Sequence, residues 1–245
     1  MPLLAETSWS EIETLRERVS NNLRGSPTIV EAANRFLGVF TDEFSSIALA
    51  RLFLVVPYSS LPREEAVFAE AIARQFGGAS LRPETPVLSL VGTRGAEAAW
   101  NDRKRSKGHL AIPLLDKKFV EGAPMIAQLL ADLEIDLAAL GDGRPIASRR
   151  MLGGHNQRFY VADAEAAQDD RGRYVIADQA FVATNAIRTV FGMAGAYADG
   201  VLAVAIIFSR ERLDELAVDR FPSFISHFKM STSDLVRSKC IYAAA

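Results

Sequence analysis

Cysteine is almost absent: Cys240 stands alone in 245 residues, which excludes an intrachain disulfide and any multi-cysteine metal site. Net charge is almost absent too. With 28 basic and 30 acidic residues the formal charge is −2, so no global field concentrates nucleic acid or an anionic membrane, and a charged partner must be read by a local patch. No stretch approaches the ~20 apolar residues that a membrane span requires. The first residues, MPLLAETSWSEIE, hold neither a basic segment nor an apolar run of signal length. A cytoplasmic location is expected, with no nucleic-acid or membrane partner. The three histidines, His109, His155 and His227, lack any ligand spacing, so no metal site is assigned. G-x-S-x-G, H-E-x-x-H and a phosphate loop ending in Lys-Ser or Lys-Thr are all missing; no catalytic residue is assigned and an enzyme is not expected.

What the chain does have is apolar patterning, with 49% hydrophobic residues, enough for a substantial core. Ser8 and Glu11 have capping-box spacing, and Trp9, Ile12, Leu15, Val19 and Leu23 repeat at three and four residues up to Gly25. Ser26-Pro27 should restart the chain into a second helix with Ile29, Val30, Ala33, Phe36, Leu37, Phe40 and Phe44 inward. Ile47 to Val56 is a continuous apolar run of strand length, broken only by Arg51 and ended by Pro57. Pro62 should open a helix with Val67, Phe68, Ala71, Ile72 and Phe76 facing inward, stopped by Gly77-Gly78. Pro86 to Val91 reads as a second strand, Leu110 to Leu115 as a short one, and a helix is expected from Pro124 to a Gly-Asp-Gly loop at 141–143. Arg158 to Ala162 is a further strand, and Asp178 should cap a short helix through Phe181.

The most informative stretch is AIRTVFGMAGAYADGVLAVAIIFSRERL. Two apolar runs, Ile187 to Tyr197 and Val201 to Phe208, flank Asp199-Gly200, a dipeptide suited to a tight reversal, so an antiparallel hairpin is expected. Both alternating sets of the second run are almost wholly apolar, which implies a sheet covered on both faces. Ser209 should cap a long helix starting near Glu211, with Leu213, Leu216, Ala217, Phe221, Phe224, Ile225 and Phe228 at helical spacing.

Strand, Asp-Gly turn, strand ending in Ser-Arg-Glu and closing helix together resemble the C-terminal half of a GAF domain, the small-molecule sensory module of many bacterial signalling proteins. The resemblance extends over roughly Ala32 to Lys239 in order of elements. It implies an α+β, GAF-like fold related to PAS: a central, mainly antiparallel sheet with helices on both faces. Residues 1–31 are read as an N-terminal helical extension and 32–245 as the GAF-like domain. The implied function is a sensory or regulatory protein in bacterial signal transduction, acting with two-component systems through a separate partner such as a histidine kinase. The cofactor is left unassigned. The bilin-binding and sulfoxide-reducing members need cysteines that Cys240 alone does not supply. The pattern of the cyclic-nucleotide-binding members is missing from the later half, Asp42-Glu43 lying in an early helix.

Site candidates come from Gly92 to His109, GTRGAEAAWNDRKRSKGH, where apolar patterning gives way to breakers and a basic run. Trp100 offers a stacking face, and Arg103, Arg105 and His109 offer donors for a planar or anionic ligand. Phe191 and Met193 of the hairpin are expected to form the floor beneath that loop. Arg51 and Arg188 lie inside apolar strands, where each charge must reach solvent, a carboxylate or a ligand. The first and last helices are expected to pack together and against a second copy, giving a homodimer. Other readings stay open: an interaction module with a vestigial pocket, a haem sensor using His109 or His155, or an unrecognised enzyme.

Overall fold

The computed structural model describes residues 2–75, 80–106, 108–135 and 155–243. Helix α1, Trp9–Leu23, opens on the capping box of Ser8 and Glu11 and buries Ile12, Leu15, Val19 and Leu23. Gly25, at φ +70°, turns the chain, and α2 follows as Ile29–Glu43. Its cap is Thr28 rather than Ser26, because the Ser26 hydroxyl is already donated to the Leu23 carbonyl while Thr28 accepts from the Glu31 amide.

Six strands form one sheet: β1 Ile47–Pro57, β2 Pro86–Gly95, β3 Ala111–Pro113, β4 Gln157–Val161, β5 Thr189–Ala196 and β6 Leu202–Ser209. Their order is β3-β2-β1-β6-β5-β4, with every neighbouring pair antiparallel. This is the α+β architecture expected, a central antiparallel sheet with helices on both faces. The hairpin β5–β6 reverses where expected, Gly200 taking φ +87° and Asp199 accepting from the Val201 amide.

Because neighbouring side chains of a strand point to opposite faces, each apolar strand feeds two cores. On one face Ala50, Leu52, Leu54, Phe191, Met193 and Ile207 meet α1, α2 and the closing helix. On the other, Leu49, Phe53, Leu88, Val190, Ile206 and Phe208 meet α4 (Lys117–Glu121), α5 (Pro124–Asp132) and α6 (Gln179–Thr184). Helix α2 lies so close on β2 that a Cβ on Gly92 would stand 2.7 Å from the Ala33 Cβ.

Two helical expectations are corrected. The closing segment is two helices, α7 Glu215–Val218 capped by Asp214 and α8 Ser223–Arg237 after Pro222, in place of one long helix from Glu211. Proline supplies no amide to continue the first helix, and the Glu211 carboxylate is occupied by the Leu4 and Ala5 amides at 2.9 and 3.0 Å. Leu216, expected inward, is 75% exposed. In α3, Arg63–Gln75, the buried face is Glu65, Ala69 and Ala73, so Val67 and Ala71 point to solvent and Phe68 and Ile72 are half-buried. Glu65 takes a place on the buried face because Arg103 meets its carboxylate there. Phe76, Gly77-Gly78 and the Gly-Asp-Gly loop at 141–143 lie outside the described residues.

Candidate functional site

The apolar sheet face turned away from α1, α2 and α8 does not pack flat against its covering helices. It floors a cavity of about 690 Å³, within the ~300–1,000 Å³ range of small-molecule sites. Leu49, Arg51 and Phe53 of β1, Leu88 of β2, and Ile206 and Phe208 of β6 make the floor, and Phe119, Met125, Ile126 and Leu129 from α4 and α5 cover it. One wall is aromatic. Trp100 meets Phe181 edge to face at 5.6 Å, and Phe181 meets Phe208 at 5.5 Å in the same manner.

Local geometry explains why Trp100 stands there. The end of β2 leads into two short 3-10 turns, Ala98–Asn101 and Arg103–Arg105. Thr93 donates its hydroxyl to the Trp100 carbonyl at 2.8 Å, and the Asn101 side chain both accepts from and donates to the Gly95 backbone. The indole then covers Gly95 so closely that a Cβ there would lie 2.8 Å from the ring. A chain segment that looks like a solvated charge run is thereby folded back onto the sheet.

The structure divides the six sequence-derived candidates. Trp100, Arg105 and His109 line the cavity, with both Arg105 and His109 exposed at its mouth beside Asp102. Arg103 turns away. Its Nη1 lies 2.6 Å from the Glu65 carboxylate, a close charge contact without the alignment of a directed hydrogen bond. It also donates to the Leu90 carbonyl and spans the Tyr242 ring at 5.5 Å. Tyr242 in turn donates to Ser89 at 2.8 Å, and burial pushes its phenol up to about 12. Phe191 and Met193 belong to the opposite core, so the expected floor is corrected to the other side chains of the same sheet. The alternation that separates Phe191 from Val190 was visible; which set faced the loop was not.

Arg51 supplies what the candidate set lacked. It sits on the central strand between Thr93 of β2 and Ile206 of β6, and its side chain enters the cavity from the floor. Among the described residues it makes no ion pair, and its buried Nε has no hydrogen-bond partner. Burial lowers its pKa to about 10, which leaves it charged at neutral pH. Arg188, the other strand-borne arginine, reaches Glu165 and solvent instead. The sequence signal for Arg51 was available, since a charge interrupting a ten-residue apolar strand has to be answered by something.

No protein-family model matches the sequence, and no curated protein matches it. Solved structures similar in architecture include the GAF domain of an Acinetobacter phosphoenolpyruvate-protein phosphotransferase, at 11% identity and TM-score 0.46, with 94% of this chain and 97% of that chain covered. The phycocyanobilin-bound GAF domain of a cyanobacterial phytochrome is similar at 7% identity and TM-score 0.48, with 93% and 96% covered. Free methionine-R-sulfoxide reductase from Neisseria meningitidis, bound to its substrate, is similar at 11% identity and TM-score 0.47, with 97% and 99% covered. At these identities nothing about ligand or chemistry transfers.

The residues that cofactor chemistry would call on are dispersed. Cys240 is buried in the C-terminal segment beside Ser238, away from the cavity lining, and His155 is exposed before β4. Among the described residues no group of three or more His, Cys, Asp or Glu is placed to hold a metal ion. None of the described helices is long and apolar enough to cross a membrane.

Proposed function

We propose that this protein is a sensory or regulatory domain that binds one small molecule in the cavity between its sheet and the Gly92–His109 segment. The observation that supports this reading is the cavity itself: a largely apolar chamber built on a sheet face that could have been packed solid, with Arg51 and Thr93 the polar side chains of its floor among the described residues and Asp102, Arg105 and His109 at its mouth. Trp100, Arg105 and His109 form the entrance side. The ligand's effect would pass to a separate signalling partner, such as a histidine kinase of a two-component system, in the cytoplasm. A ligand that enters should change the fluorescence of Trp100, read in a Trp9→Phe background because Trp9 is 64% exposed and contributes its own signal. If Trp100→Phe leaves the spectral response to a bound ligand intact, the cavity is not where binding occurs.

A homodimer through the terminal helices belongs to the same proposal. Helices α1 and α8 pack together, Arg16 bonding Ser223 and lying 5.8 Å over the Phe224 ring. Both present large apolar side chains outward, Trp9 on α1 and Met230, 76% exposed, on α8. Light scattering at about 50 µM should give twice the chain mass. A monomer at that concentration, or a dimer that survives Trp9→Glu with Met230→Glu, would overturn this geometry.

A further inference from the structure

We propose that the cavity takes a monocarboxylate with an aromatic body, its carboxylate seated on Arg51 and its ring against Trp100, Phe181 and Phe208. The inference rests on the reading of the cavity as a ligand site and adds the chemical class. Arg51 is the decisive residue. A guanidinium held in an apolar chamber with no carboxylate against it among the described residues leaves its buried Nε unpaired, an arrangement that folding alone disfavours. The fold could have met the charge in the way it met Arg103, by placing a buried glutamate opposite, as Glu65 is. No described residue plays that part for Arg51, whose side chain lines a cavity large enough for a small molecule.

Charge and shape narrow the class. Among the described residues Arg51 is the single charged side chain on the cavity floor, while Asp102, Arg105 and Asp178 line the cavity elsewhere. One deep positive charge balances a monoanion; a phosphate dianion would leave negative charge uncompensated in an apolar chamber. The planar fork of a guanidinium matches a carboxylate bidentately. Thr93, across the strand pair from Arg51, has its hydroxyl committed to the Trp100 carbonyl, so it holds the wall in place rather than competing for the anion. The edge-to-face series of three rings then offers a flat aromatic group the tilted contacts that aromatic pairs prefer.

The test is calorimetric titration of the full chain with phenylacetate, 4-hydroxybenzoate and 1-naphthylacetate, each beside its uncharged amide. At least one carboxylate should bind about 10- to 100-fold more tightly than its amide, as expected when a charge-assisted hydrogen-bonded pair is lost. Arg51→Met should abolish that preference. The ligand-free variant should also melt at least about 2 °C higher, since an unpaired buried charge is replaced by an apolar chain of similar length. Amides that bind as well as the acids, or an Arg51→Met variant that keeps the preference, would overturn the carboxylate assignment and leave the cavity reading standing. A lower melting temperature for Arg51→Met would show that the guanidinium is partnered within the fold and would also overturn it. If neither acids nor amides bind the wild-type protein at millimolar concentration, both readings fail together.

Discussion

Arg103→Ala should destabilise the protein by about 3–5 kcal/mol, the cost of leaving one member of a buried ion pair without its partner. The stranded group is Glu65, whose side chain is 1% exposed, and Arg103 itself is only 12% exposed, so neither charge is relieved by solvent. The same substitution removes the cation over Tyr242 and the donor to the Leu90 carbonyl. Urea denaturation should show the loss as a lower midpoint at unchanged slope. Glu65→Gln in the Arg103→Ala background should recover part of it, because the uncompensated charge is gone. A loss below about 1 kcal/mol would mean that Glu65 finds water or another cation when Arg103 is removed. Had Arg103 been a ligand contact, the substitution would weaken binding and spare stability. The geometry expects the reverse.

Phe221→Ala should cost a comparable amount, about 3–5 kcal/mol, for a different reason. Phe221 is fully buried where the closing helices meet the sheet, with ring centroids of Phe191 at 5.3 Å, Phe224 at 6.0 Å, and Phe40 and Phe44 at 6.5 Å. Its removal leaves a void lined by four rings, from α2, the residue that ends it, β5 and α8, which cannot all move inward together. Binding in the cavity, measured under conditions where the variant is folded, should be unchanged, since this cluster lies on the other face of the sheet. A destabilisation under about 1 kcal/mol would show that the aromatic layer closes over the gap. Weakened ligand affinity with full folding would show that the two faces are coupled through the sheet.

The contrast between Arg103 and Arg51 shows what spacing can and cannot say about a site. Within RKR the sequence offers three neighbouring cations of equal standing, and the 3-10 turn sends them in different directions: Arg103 to Glu65, Lys104 to Glu64 at 2.6 Å, and Arg105 to the cavity mouth. Nothing in the local pattern chooses among them, because the choice depends on where α3 presents its glutamates. Arg51 is conspicuous in the sequence for the opposite reason, as the one charge within the apolar run Ile47 to Val56. Whether it reached water, a carboxylate or a chamber was decided by what lies above the sheet.

The sequence by itself determined the strands, the Asp-Gly reversal, the capping box of α1 and the two-faced apolar character of the sheet, because those depend on side-chain period and on residues that tolerate particular backbone angles over a few neighbours. It misplaced the start of α2 by competition between two hydroxyls, and it ran α7 and α8 together by reading helical spacing across Pro222. Only the tertiary structure decided which face of the hairpin meets the helical layer, that Glu65 belongs inside, and that Trp100 folds back over Gly95 to wall a cavity. Each of those outcomes is set by groups far apart in the chain, and a period of two has the same appearance from either side of the sheet.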